Sequence, residues 1–314
     1  MNEQYPYKYI PFDNEYGRTF AAGFPGGIIT HHAGIINVSM EGLMLAGAFA
    51  AVVFSFLTGS AFIGILAAIA AAVLFSLFYS LFVTTLKTNN FAIGFALNIF
   101  VSSLTLYLSR IMFPGQNAFN SPKIAAIPKC KIDFGIKIVN DIFSDFSLLV
   151  YFAFILVFLI SYVIYKTPFG LWLRAAGSQP EALTKSGKKV SMVQYAASAM
   201  TGVLCGIAGA QLSLSNVVMF SKDMTGGRGF IALAIILISN GKPLTALLLS
   251  IFFGLFEGIS IQLQSTAIPA QFLFMLPYLM AIGTLIVMNV TKTKKEKMHS
   301  LNKPKTMKLN GRLS

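Results

Sequence analysis

The chain has 314 residues, 55% hydrophobic and 11% charged, with a net charge of +13. A soluble globular domain carries about 25% charged residues, so this composition excludes an ordinary soluble fold. No run of short alternating segments is present, which excludes a spanning β-barrel.

Several apolar runs exceed the roughly 20 residues that cross a bilayer as a helix. The fold class is therefore all-α: a polytopic helical membrane protein of about eight transmembrane helices, one of them short or broken. Residues 291–314 hold eight Lys/Arg and 166–190 hold five, with one acid in each. Basic segments beside spans mark the cytoplasmic side. No aromatic residues interleave with the lysines as a nucleic-acid surface requires, so the partner of this charge is the lipid bilayer and not nucleic acid. Cys130 and Cys205 are far apart and fit neither a metal spacing nor a disulfide framework.

In chain order, residues 1–33 are polar and mixed, with Pro6, Pro11 and Pro25 as breakers; they are expected on the cytoplasmic side. Phe20–Thr30 is weakly apolar, too short and glycine-rich to span alone. The spans begin with Val38–Thr58, Ala61–Leu86 and Phe91–Leu108, the second and third separated by the polar turn Lys87-Thr-Asn-Asn. Residues 109–145 form a long mixed loop with three prolines, expected outside. Phe146–Tyr165 spans and delivers the chain to a basic segment, 166–190. Inside that segment, Ser178-Gln179-Pro180-Glu181 reads as a capping box and Gly187 as a helix stop. They predict one helix of about two turns. So short a helix needs a partner's groove.

Ser191–Ser215 spans next. Its Ser198, Gly202, Gly206 and Ala210 recur every four residues, a stripe for close helix contact. Phe230–Ser239 is short. It must cross if both basic segments face the cytosol, and irregular backbone lining a cavity or packed in protein can complete it. Leu244–Gln264 and Gln271–Val290 span, and 291–314 is a basic cytoplasmic tail. The permease body is thus 34–290.

Chemistry-bearing residues are few. No Walker A sequence exists, since Ser186-Gly187-Lys188-Lys189 lacks the required glycine and hydroxyl. His31-His32 diverge and read as interfacial. Glu41 and Glu257 lie in or at the edge of apolar runs, where a carboxylate is a functional candidate and also serves as a helix–helix hydrogen bond. Asn98 sits mid-span with the same two readings. Gly226-Gly227-Arg228-Gly229 has the composition of an anion cradle, although a plain turn with a snorkelling arginine is the stronger reading.

Three blocks then resemble one family. Ala33-Gly-Ile-Ile-Asn37-Val-Ser-Met-Glu41-Gly-Leu-Met-Leu-Ala-Gly-Ala-Phe49 is similar to the first motif of ABC-transporter permeases for nucleosides, within the ribose/branched-chain amino acid permease group. Gly177-x-x-Pro180-Glu181-Ala182, with Gly187, resembles that group's cytoplasmic coupling loop. Gly227-Arg-Gly-Phe-Ile-Ala-Leu-Ala234, Gly241-Lys-Pro-Leu244 and Met275-Leu-Pro-Tyr-Leu279 resemble its C-terminal signature. The resemblance implies a non-enzymatic subunit in a bacterial cytoplasmic membrane. It would pair with a second permease subunit, a cytosolic ABC ATPase that binds ATP and magnesium, and an extracytoplasmic substrate-binding lipoprotein. No cofactor is implied in this chain itself. Gly177, Ser178, Pro180, Glu181, Ala182 and Gly187 would contact the ATPase, and residues 109–145 would face the binding protein. Asn37, Glu41, Asn98 and Glu257 are the candidates for the substrate path. The family places two hydrophobic segments before the first motif. Here one is absent and the other only suggested by Phe20–Thr30, so 1–33 reads as divergent or truncated.

A nucleoside is the expected substrate, with a pentose or a branched-chain amino acid left open. An ion-coupled secondary transporter would need intramembrane ionisable groups, of which only Glu41 and Glu257 qualify. A membrane-embedded enzyme would need a cluster of acids or histidines at one face, and the sequence has none.

Overall fold

The computed structural model describes residues 25–113, 118–130, 146–263 and 283. Ten helices are described: α1 (25–32), α2 (Met40–Thr58), α3 (Ala61–Ser80), α4 (Asn90–Met112), α5 (Leu148–Lys166), α6 (Pro168–Ser178), α7 (Pro180–Lys185), α8 (Val190–Gln211), α9 (Arg228–Ile238) and α10 (Pro243–Leu263). The predicted spans map onto α2, α3, α4, α5, α8, α9 and α10 within a few residues. The last predicted span, Gln271–Val290, and the tail 291–314 lie outside the described residues, apart from helical Gly283.

Among the described residues, four helices are long and apolar enough to cross a membrane by themselves. Helices α5 and α6, bent by 74° where they meet, pass the same test only when taken together. Helices α9 and α10 add two shorter apolar segments. Two helices end in wider turns. A π-turn, Leu81–Thr85, continues α3, and another, Leu212–Asn216, continues α8. Asn89 starts α4 by accepting hydrogen bonds from the Phe91 and Ala92 N–H groups, satisfying donors that a helix start leaves open.

Helix α2 is the axis of the bundle. Of its apolar window 78% is buried, against 22% for α3 and 28% for α4, so α3 and α4 turn most of their surface outward from the bundle. Two apolar cores meet on α2. One joins α1, α5, α6, α8, α9 and α10 through Ile28, Met44, Ile164, Leu173, Ile235 and Phe253. The other joins α2, α3 and α4 through Val52, Tyr79 and Val101.

That first core takes in residues assigned from sequence to a separate N-terminal segment. Ile28, Ile29 and Thr30 are fully buried, and Thr201 Oγ1 donates to Gly26 O at 2.7 Å. The packed body therefore begins before residue 34. The signal was hidden because α1 is short and glycine-rich, and neighbours supply its burial.

The connection after α4 folds back over the bundle. Ala118–Phe119 pairs antiparallel with Phe220–Ser221, and Lys129–Cys130 pairs with Phe146–Ser147. Phe119, Ile124 and Ile127 are buried. The Ser55 hydroxyl bonds both the carbonyl and the N–H of Ala125, at 3.1 and 3.0 Å. This end of the bundle is closed by chain packed on α2 and on the turn after α8.

Candidate functional site

Two regions gather the residues singled out above. The first is a polar centre where α2, α9 and α10 converge. Gly227, in left-handed conformation at φ 82°, begins α9 and turns the Gly227 and Gly229 N–H groups toward α2. Both donate to Glu41, Gly227 to Oε1 at 2.8 Å and Gly229 to Oε2 at 2.7 Å. The Gly-Gly-Arg-Gly block is thus an anion cradle, and its anion is the chain's own carboxylate at a helix N-terminus, where the macrodipole favours negative charge. Position 229 must be glycine, because a Cβ there would overlap the Glu41 backbone.

Arg228 does not snorkel. Its Nη2 pairs with Glu257 Oε1 at 2.7 Å, with both side chains almost enclosed, 11% and 13% exposed. Its Nη1 donates to Met224 O and Thr225 O at 3.1 and 3.3 Å. The block thus binds one acid from α2 through backbone and one from α10 through a side chain.

Asn98 is fully engaged elsewhere. Its Oδ1 accepts the Gly42 N–H at 2.8 Å and its Nδ2 donates to Val38 O at 2.9 Å, so it ties α4 to the start of α2. Asn37 Oδ1 accepts from Ser39 N and Oγ at 3.0 and 2.6 Å. Of the four path candidates, Glu41 and Asn98 have both polar atoms occupied. Asn37 Nδ2 and Glu257 Oε2 are buried with no hydrogen-bond partner among the described residues.

The second region is the basic segment. It is two helices, not one. Thr167 caps α6 by accepting the Gly170 N–H at 3.2 Å, and Pro168 fills the first position, where its missing N–H costs nothing. Gly170 lies against the Val163 and Ile164 carbonyls, which allows the 74° bend. Gly170, Leu173 and Ala176 form the buried face. The Thr-Pro pair is the readable signal for α6.

The capping box is absent. Ser178 Oγ donates back to Arg174 O at 2.7 Å, which keeps Ser178 in α6. Gln179 starts α7 without a side-chain cap. The stop is as read: Gly187 has φ 82°, Gly187 N–H donates to Thr184 O at 3.0 Å and Lys188 N–H to Leu183 O at 3.3 Å. These two bonds close a Schellman turn, whose left-handed residue favours glycine. In α7 only Leu183 is buried; Pro180, Glu181, Ala182, Thr184 and Lys185 are exposed.

The two helices rest on the rest of the chain at a junction. Gly177 lies against His32 O and Gly34 N, and a Cβ at Gly34 would stand 3.0 Å from Gly177 Cα. His32 Nε2 is 3.0 Å from Gly241 O, in the α9–α10 turn. The His32 ring meets Tyr165 edge-on at 6.2 Å, and Arg174 lies over Tyr165 at 5.7 Å. Burial pushes both His31 and His32 below the ordinary imidazole pKa. For His32 the Gly241 carbonyl opposes this, while His31 and Arg174 reinforce it.

The small-residue stripe of α8 lies against α3 and α2. A Cβ on Gly202 would come 2.7 Å from Val73 Cα, and one on Gly206 2.7 Å from Ala68 O. Ser198 O accepts the Ser76 hydroxyl at 2.5 Å, and Ala210 is fully buried. Gly209, outside the four-residue spacing, lies against Met44 O and Ala48 N. Among the described residues no group of three or more His, Cys, Asp or Glu is placed to hold a metal.

These features define a polytopic helical membrane protein with a buried polar centre and a basic pair of short helices at one end. The chain belongs to the family of branched-chain amino acid transport system permease components, which matches residues 22–288. It is a transport subunit of an ABC system, not an enzyme, and such a subunit works with an ATPase and other components. The chain is 31% identical over 271 residues to the nucleoside ABC transporter permease protein NupC of Lactococcus lactis subsp. cremoris, covering 83% of this chain and 85% of the relative. It is 28% identical, with the same coverage, to the guanosine ABC transporter permease protein NupQ of Bacillus subtilis. A provisionally named glucose ABC transporter permease protein of Haloferax volcanii, TsgC13, is 26% identical over 77% of this chain and 74% of its own length. No solved structure matches.

Proposed function

We propose that this chain is the membrane permease subunit of a bacterial nucleoside importer. It sits in the cytoplasmic membrane and is moved by ATP hydrolysis in a cytosolic partner that holds the nucleotide and magnesium. The observation that carries the coupling is α7, a short helix anchored by Leu183 alone and exposed on every other side chain. A helix this short is unstable by itself, and a partner's groove supplies the missing contacts. Glu181, Pro180 and Ala182 face that partner, and Gly187 ends the helix. A second permease subunit completes the path, and an extracytoplasmic lipoprotein delivers substrate to the end closed by 118–130.

The nucleoside reading is supported by the two bacterial relatives named for nucleoside and guanosine transport. Asn37 and Glu257 are the path candidates that retain an unused buried polar atom. A sugar substrate is the second reading, favoured by the relative named for glucose.

The test is purification of the assembled transporter and measurement of ATP turnover with nucleosides, pentoses and glucose. Stimulation by nucleosides is expected; stimulation by sugars alone overturns the substrate reading. Glu181→Arg is expected to reduce stimulated turnover at least tenfold while the chain still reaches the membrane. Unchanged turnover in that variant overturns the coupling role of α7.

A further inference from the structure

Between α3 and α4 lies an apolar recess of about 160 Å³, lined by Phe78, Phe82, Ile93, Ala96, Leu97 and Phe100. No polar surface lines it. Phe78 and Phe100 are about half exposed, and the recess opens on the two helices that turn most of their surface outward from the bundle. Helix α3 changes character here. Phe82 sits in the π-turn Leu81–Thr85, and the chain then folds back on it: Thr88 N–H and Thr88 Oγ1 both donate to Phe82 O, at 3.1 and 2.8 Å. That fold brings the backbone next to Lys87, which has φ 52°, back onto the carbonyl of Phe82, a lining residue. Lys87 is exposed, and no carboxylate among the described residues lies within ion-pairing distance of it.

We infer that the recess with Lys87 is a binding site for an anionic phospholipid, one acyl chain lying among the phenylalanines and the phosphate held by the lysine. Three observations select this occupant. The pocket is wholly apolar and opens outward from two apolar spans, so an acyl chain fills it without stranding a polar group. Lys87, which has no carboxylate partner among the described residues, is one residue from the Thr88 N–H bonded to Phe82 O, and a negatively charged headgroup complements it. The site is also at the end of the bundle that carries the basic segment, because Thr85 Oγ1 bonds the Tyr195 hydroxyl at 2.6 Å, close to the start of α8 at Val190. The inference goes beyond the proposed transport reading and does not depend on the substrate.

The test uses the assembled transporter in nanodiscs containing phosphatidylglycerol or phosphatidylcholine with a photoreactive group midway along one acyl chain. Labelled peptides are mapped by mass spectrometry. Phosphatidylglycerol is expected to label the segments around Phe82 and 93–100 about fivefold more than phosphatidylcholine, the preference one membrane-proximal lysine confers. Lys87→Glu is expected to bring that ratio near one while labelling by phosphatidylcholine persists. Ala96→Trp, at an exposed position, fills the recess and is expected to remove labelling by both lipids. Equal labelling of the native chain by the two lipids overturns the inference, as does an unchanged ratio in Lys87→Glu. Absence of any labelling, with crosslinks to the second permease subunit instead, also overturns it by assigning this face to a protein partner. All these readouts are independent of transport and ATP turnover.

Discussion

At the scale of single residues, the acids in the membrane do structural work that their isolated positions did not reveal. Glu41 receives two backbone N–H groups at the start of α9. Glu41→Ala leaves both donors without that acceptor, a loss of about 1–3 kcal/mol for each buried group left unsatisfied. A lower melting temperature in detergent is the expected outcome. Arg228 and Glu257 behave differently, since each enclosed charge needs the other. Arg228→Met or Glu257→Leu alone is expected to destabilise by about 3–5 kcal/mol, and the double variant by much less, because it strands no charge. A double-mutant cycle on thermal unfolding measures this; a loss in the double variant equal to the sum of the two single losses would count against a close pair. The histidines carry the pH dependence. Their pKa values lie below the ordinary imidazole value of about 6.5. The packed junction therefore holds fewer protons than the unfolded chain in that range. Its stability is full above the ordinary value and falls as pH drops toward the depressed values. On the proposed reading, stimulated ATP turnover should decline as pH falls below about 6.5. His31→Gln combined with His32→Gln should flatten that decline, if turnover at pH 7.5 is retained.

At the scale of elements, the basic segment shows how a helix too short to stand alone is held. Leu183 is the single buried side chain of α7. Leu183→Ala is expected to cost about 2–5 kcal/mol of local packing and to release α7. Faster hydrogen exchange across 180–187, with α6 protected as before, is the measurable sign. Gly187→Pro is expected to disrupt the Schellman turn in the same readout, since proline cannot donate the N–H that Thr184 O receives. In α8 the constraint is steric. Gly206 touches Ala68 and Ile69 on α3, and a Cβ at Gly47 on α2 would stand 3.0 Å from its Cα. Gly206→Leu must therefore push three helices apart and is expected to abolish stable folding, seen as loss of the monodisperse species in detergent.

At the scale of the whole molecule, the long apolar runs were legible because each span needs about 20 such residues whatever it packs against. The stripe of α8 was legible for a similar reason: small residues four apart fall on one helix face. What escaped was set by distance in space. Arg228 and Glu257 lie 29 positions apart on separate helices, and no periodicity links them. Helix α1 is too short to announce itself, and its burial is supplied by α8 and α9. Helix α6 was hidden by a break at Thr167-Pro168 that serves equally as a loop or a cap. The box at Ser178 failed because its hydroxyl had a nearer acceptor in the preceding turn.

The contact between Gly34 and Gly177 sets a limit on how the molecule moves. Two main chains touch there with no side chain between them. Side chains absorb small displacements by changing rotamer, and this joint has none to change. A shift of α6 by a fraction of an ångström must reach the linker before α2 at nearly full amplitude. The linker that leads into the axis of the bundle is thereby held to α6 through main chain alone.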